Sequence, residues 1–167
     1  LIYRKGHFAL WSRGEDLMTD RFPELARAAD VLPDGVVIDG ELLVADDQGP
    51  RPFSALQKRL GRKTVSKALL SDSPVELYAY DLLETNGIDL RERPFAERRG
   101  QLCELFADLP ERTGLRLAPV IPFASWPDLT ETQKTARAHM AEGLMLKRAA
   151  SPYIGGRKKG DWWKWKL

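Results

Sequence analysis

Cysteine and histidine are nearly missing from this chain. Its 167 residues hold one cysteine, Cys103, and two histidines, His7 and His139. An intrachain disulfide is therefore excluded, and so is a cysteine-based or histidine-rich zinc site. No apolar run approaches membrane-spanning length, and no signal-peptide pattern precedes the first strand. A cytoplasmic protein with no membrane partner is the expectation. Also missing are the Walker and Rossmann glycine patterns, the two commonest phosphate-binding loops. Internal repeats, low-complexity tracts and linkers are lacking as well, so one domain is expected over residues 1–167. The chain opens on Leu1 and stops on Leu167, each inside a strand pattern. We expect a piece of a longer protein.

Charge of one sign is not in excess. Charged residues make up 30% and hydrophobic residues 43%, with a formal net charge of +2. The total therefore does not point to a nucleic-acid partner, but the distribution holds two basic clusters. One contains Arg51, Lys58, Arg59, Arg62, Lys63 and Lys67; the other contains Arg157, Lys158, Lys159, Lys164 and Lys166. Such clusters suit a polyanion, and equally a solvated face.

The last stretch, Gly160-Asp161-Trp162-Trp163-Lys164-Trp165-Lys166-Leu167, reads as a strand. Alternation puts Trp162, Lys164 and Lys166 on one face and Asp161, Trp163, Trp165 and Leu167 on the other. Paired ammonium groups against tryptophan suit an anion held to an aromatic wall, or an edge strand protected from pairing.

Three earlier strands carry equally odd insertions. In residues 35–44, Asp39 and Glu41 share a face among Val37 and Leu43, and buried acids need partners. Residues 75–83 are rich in aromatics around Tyr80. Glu142-Gly143-Leu144-Met145-Leu146-Lys147 opens on an acid and closes on a lysine five positions later, which simple alternation puts on the opposite face. A hairpin turning at Lys5-Gly6 is predicted over residues 1–12, followed by an exposed Ser12-Arg13 loop. Helices are predicted from about Pro23, capped by Asp20 or Thr19, and over 53–60, 94–109 and 126–140. In the second of these, Phe53, Leu56 and Leu60 face inward and Lys58 and Arg59 outward. Strands joined as hairpins with helices between groups give an α+β fold with antiparallel sheets and flanking helices.

Carboxylates suit a divalent cation and a ribose hydroxyl, an aromatic ring suits a base, and paired lysines suit phosphates. With these parts in order, the chain resembles the adenylation (nucleotidyltransferase) domain of ATP-dependent DNA ligases, a core shared with mRNA capping enzymes and similar to ATP-grasp. Asp39-Gly40-Glu41 matches that family's third motif and Leu77-Tyr78-Ala79-Tyr80-Asp81-Leu82 its companion, IIIa. Glu142 to Lys147 matches the fourth motif, Trp163-Lys164-Trp165-Lys166 the fifth, and Ser12-Arg13 the pair that follows the first. The compact loops resemble bacterial members.

The resemblance implies a set of roles. Glu41 would contact the ribose or assist the metal, Tyr80 would stack on adenine, and Glu142 would help bind Mg²⁺. Lys164 and Lys166 would hold the α-phosphate, and Arg13 would sit near the nucleotide or a DNA 5′ phosphate. It further implies ATP (as AMP) and Mg²⁺ as cofactors and nicked double-stranded DNA as partner, in DNA repair, replication or recombination. The family's nucleophilic Lys-x-Asp-Gly-x-Arg string does not occur in these residues. The resemblance places it before Leu1, and an oligonucleotide-binding-fold (OB-fold) domain of the same parent after Leu167. The same superfamily leaves RNA ligase and capping-type activity open, and the isolated piece could act as a non-catalytic DNA-binding module.

Overall fold

The structure is a computed structural model that describes residues 1–46, 48–62, 64–156 and 159–167. Asp47, Lys63, Arg157 and Lys158, named above, lie outside the described residues.

Strands β1 (Ile2–Arg4) and β2 (His7–Ala9) form the expected hairpin, turning at Lys5 and Gly6, both with positive φ. β1 pairs with β3 (Val36–Asp46), which pairs along nearly its whole length with β5 (Val75–Thr85). Short strands β4 (Gly49–Pro50) and β6 (Ile88–Asp89) extend β3 and β5. β7 (Leu115–Leu117) adds to β5 in parallel, the one parallel pair among the described residues in a sheet expected to be antiparallel. β8 (Gly143–Lys147) and β9 (Trp162–Lys166) form a separate two-stranded antiparallel sheet.

The helices are α1 (Phe53–Leu60), α2 (Lys67–Asp72), α3 (Phe95–Ala107) and α4 (Trp126–Lys134). The helix expected from Pro23 is a 3-10 helix, Pro23–Asp30, preceded by a short one over Thr19–Arg21. Neither has a side-chain cap; Thr19 Oγ1 instead accepts from the Leu10 amide. The helix predicted over 126–140 breaks after Lys134 into a 3-10 turn, and Met140 ends it in the left-handed region at φ 57°.

One face of the large sheet is core. Val36, Ile38 and Val44 on β3 and Val75, Leu77 and Ala79 on β5 are buried, packed with Ala28, Leu102 and Leu115 or with Phe22, Leu25 and Leu56. The intervening residues, Val37, Asp39, Glu41, Tyr78 and Tyr80, fall on the other face by alternation.

Arg59 corrects the outward reading of α1. Its side chain is fully buried, ion-paired with Glu24 and donating to the carbonyls of Ser73 and Arg21, over the Phe22 ring. Burying a guanidinium requires partners for its charge and donors. Here both terminal nitrogens find them, while Nε makes no hydrogen bond among the described residues. Phe53, expected inward, is instead exposed, whereas Leu56 is buried as expected. The first basic cluster is thinner than its sequence suggests, since Arg59 is internal and Arg51 is paired with Asp46.

Candidate functional site

One face of the small ribbon touches the polar face of the large sheet through Lys147 and Tyr80. The β8–β9 register pairs Lys147 with Trp162, Met145 with Lys164 and Gly143 with Lys166, so these six positions share one face of the ribbon. That face carries the two lysines of the final strand, as the alternation predicts. It also carries Met145, an exposed thioether between Lys147 and the end where Lys164 and Lys166 stand.

Glu142 joins this face against the simple alternation. Its carboxylate lies 3.1 Å from Lys166 Nζ and 3.8 Å from Lys164 Nζ. The cause is Gly143, whose φ of 147° turns the chain immediately before the strand. A Cβ there would lie 2.1 Å from the Trp165 carbonyl oxygen, so only glycine lets the strands approach this closely. Lys166, and then Lys164, hold the Glu142 carboxyl below the usual range. Glu142, Lys166, Arg137, Met140 and Phe53 line an open cavity of about 410 Å³.

At the other end of the ribbon, Lys147 reaches the large sheet. Its ammonium lies 3.9 Å from the Trp162 ring centroid, 4.1 Å from that of Tyr80 and 4.8 Å from that of Phe95. The nitrogen is buried and makes no hydrogen bond among the described residues, so the ring faces are its solvation. Burial pushes its pKa down to about 8, while the charges of Asp81 and Asp39 oppose the shift.

Tyr80 owes its place to a slip in register. Asp39 pairs with Asp81 and Gly40 with Ala79, so Tyr80 is the extra residue of a bulge in β5. Gly40 is needed beside it, since a Cβ there would meet the Tyr78 carbonyl oxygen at 2.8 Å. The Tyr80 hydroxyl donates to Asp39 Oδ1 at 3.1 Å, and the Tyr153 hydroxyl donates to Asp39 Oδ2 at 2.9 Å. Burial, with Asp39 second, raises the pKa of both phenols, which therefore stay protonated donors.

Behind this lies a fully buried ion pair. Arg98 of α3 donates to both oxygens of Asp81 at 2.8 and 2.9 Å, and to the Ser151 carbonyl at 3.1 Å. The segment between β8 and β9 is thereby pinned to α3, whose Phe95 amide also donates to the Ser151 carbonyl. The Trp162 indole N–H donates to Ser151 Oγ.

Of the expected site residues, Glu142, Lys164 and Lys166 come together as a group, and Tyr80 joins the same ribbon through Lys147. Glu41 is exposed on the Tyr80 face of the large sheet. Arg13 stands on the exposed turn after β2, where Ser12 Oγ accepts from the amides of Gly14 and Asp16. Among the described residues no contact joins Arg13 to the cluster. Sequence reasoning missed Asp39 as a double acceptor, missed Tyr153 as one of its two donors, and missed Phe95 and Trp162 as walls around Lys147. Trp162 was findable, being on the lysine face; Tyr153 sits in a turn with no periodicity to expose it.

A large sheet bearing acids and an aromatic ring, facing a small ribbon bearing lysines, defines a nucleotidyltransferase fold. The chain belongs to the ATP-dependent DNA ligase family: the domain described as "ATP dependent DNA ligase domain" matches residues 2–166. It is 36% identical to a "Probable DNA ligase" of Opitutus terrae, over 96% of this chain and 18% of that protein. It is 33% identical to a DNA ligase of Natronomonas pharaonis, over 93% of this chain and 27% of that protein. Among solved structures, a mycobacterial DNA ligase D complexed with ATP and MES superposes with a TM-score of 0.76. That pair is 33% identical, covering 98% of this chain and 49% of the other. Chlorella virus DNA ligase-adenylate, at 17% identity and a TM-score of 0.68 over 99% of this chain and 57% of that one, shares the fold. This chain thus spans well under half of the two ligase sequences and about half of the two solved chains. The family match favours DNA ligase over the RNA-ligase and capping alternatives. No helix among the described residues is long and apolar enough to cross a membrane.

Proposed function

We propose that this domain is the nucleotide-binding part of an enzyme that seals nicks in double-stranded DNA with ATP. The supporting observation is the meeting of Glu142, Lys164 and Lys166 on the ribbon face that also presents Lys147 to Tyr80. Segments far apart in sequence are thereby brought to one ribbon.

In this reading Tyr80 stacks on the adenine, Glu41 holds the ribose, and Lys164 and Lys166 bind the α-phosphate. A lysine amine outside these residues attacks the α-phosphorus; the N–P bond forms as the P–O bond to pyrophosphate breaks. AMP then passes to a DNA 5′ phosphate, near which Arg13 stands, and a 3′ hydroxyl displaces it. Lys164 and Lys166 stabilise the charge that builds on the phosphoryl oxygens, and that electrostatic work dominates such sites. Their positive charge also favours the neutral, attacking form of a nearby lysine.

The donor set suits Mg²⁺, which takes one or two carboxylates and fills its remaining sites with phosphate oxygens and water. Glu142, with Glu41 assisting, would hold it. When bound, the cation neutralises phosphate charge. No cluster of three or more acids, histidines or cysteines occurs among the described residues. In the whole enzyme we place an OB-fold domain after this one, and the protein in the bacterial cytoplasm.

Intact-mass measurement with ATP and Mg²⁺ tests the reading. Residues 1–167 alone should gain no AMP, whereas a longer chain carrying the Lys-x-Asp-Gly-x-Arg lysine should. In that longer chain Lys164→Ala or Lys166→Ala should slow labelling by on the order of 10²–10³. Labelling of residues 1–167 alone would show that the nucleophile has been misplaced.

A further inference from the structure

Asp39 spends both carboxylate oxygens on tyrosines from two different parts of the fold. Tyr80 belongs to the large sheet. Tyr153 belongs to the connection between β8 and β9, 114 residues from Asp39 in the chain. We infer that Asp39 is a positioning residue: through Tyr153 it fixes where the lysine ribbon stands relative to the Tyr80 ring. The inference rests on the nucleotide-site reading above and adds a role for Asp39 and Tyr153.

The path from one side to the other is continuous. Tyr153 packs edge-on against Trp162, with ring centroids 5.6 Å apart, and its amide donates to the Arg91 carbonyl at 2.7 Å. Trp162 is the first residue of β9, two positions before Lys164 and on the same face. A shift of Tyr153 is therefore passed to the strand that carries both lysines. Asp39 has the charge and geometry for this. A carboxylate accepts two phenolic hydrogen bonds at once, and such charge-assisted bonds are about twice as strong as neutral ones. This positioning role is separate from the metal and ribose work given to Glu41 and Glu142.

Relative placement of base and phosphate is a rate matter more than a binding matter, since small misplacements of reacting groups lower turnover steeply. Each half of the site keeps its own contacts when the tie is cut. The loss should therefore fall on kcat of enzyme–AMP formation and much less on KM for ATP.

The test uses the full-length chain with its nucleophilic lysine. Tyr153→Phe removes one hydroxyl and keeps the ring, and should lower kcat about ten-fold with KM changed less than about three-fold. Asp39→Asn should lower kcat at least as much, and the double variant no further than Asp39→Asn alone, because both changes break the same bond. A Tyr153→Phe enzyme with wild-type kcat, or losses that multiply in the double variant, would overturn the inference. Lys164→Ala is run beside them. If it slows labelling while Tyr153→Phe does not, the positioning role fails and the nucleotide reading stands; if Lys164→Ala has no effect, both fail.

Discussion

The Lys147 ammonium lies 4.1 Å from the Tyr80 ring centroid and 3.9 Å from that of Trp162, so one cation joins the large sheet to the ribbon. Asp39, Asp81, Arg98 and Arg99 act on it electrostatically, and burial holds its pKa at about 8. Between about pH 8 and the ordinary lysine range, the unfolded chain carries a proton that the folded chain has released. Stability should therefore rise with pH in this window, with a slope approaching about 1.4 kcal/mol per pH unit from this group. Above the ordinary tyrosine range the sign reverses, because folded Tyr80 and Tyr153 keep protons that the unfolded chain loses. Urea unfolding from pH 7.5 to 10 measures the slope. The same slope in Lys147→Met would rule out this assignment.

Tyr80→Ala tests the base side of the cleft. Stacking a base on an aromatic ring contributes about 1–3 kcal/mol, so ATP binding by the full-length enzyme should weaken ten-fold or more. Tyr80→Phe keeps the ring and should retain most of the affinity. Calorimetric titration separates the two, and equal affinity in Tyr80→Ala would make this residue a packing tyrosine.

Breaking the buried Arg98–Asp81 pair should be costly. Both side chains are fully buried, and Asp81→Asn leaves a guanidinium without its counter-charge. A loss of about 3–5 kcal/mol in chemical denaturation is expected. A loss below about 1 kcal/mol would mean that the carbonyls of Arg93 and Ser151 satisfy Arg98 without Asp81.

At Gly143 strain and collision add. Alanine is unfavourable at φ 147°, and its Cβ would meet the Trp165 carbonyl at 2.1 Å. Gly143→Ala should destabilise the ribbon by about 3 kcal/mol or more. Proteolysis between β8 and β9 should report it first, and an unchanged cleavage rate would count against the expected clash.

Alternation made the four functional strands legible, because acids, rings and lysines at every second position are costly in a core. It could not foresee Arg59, whose burial depends on Glu24 and on carbonyls from two other segments. It misplaced Glu142 relative to Lys147, since a positive φ at Gly143 resets the count. The bulge that sets Tyr80 apart comes from pairing between strands 41 positions apart, which no local pattern encodes. Tyr153 stayed hidden for the same reason: its partner is acquired only in the folded chain.

A two-stranded ribbon is marginal on its own in water. β8 and β9 pair only with each other among the described residues, and are fastened to the rest by Lys147, Trp162, Tyr153, the Ser151 carbonyl held by Arg98 and Phe95, and the bond from Gln133 to the Lys166 carbonyl. These attachments should release before the seven-stranded sheet melts. In the longer chain that carries the nucleophilic lysine, heating should therefore abolish adenylation some degrees below the temperature at which circular dichroism records unfolding, and cooling from that interval should restore it.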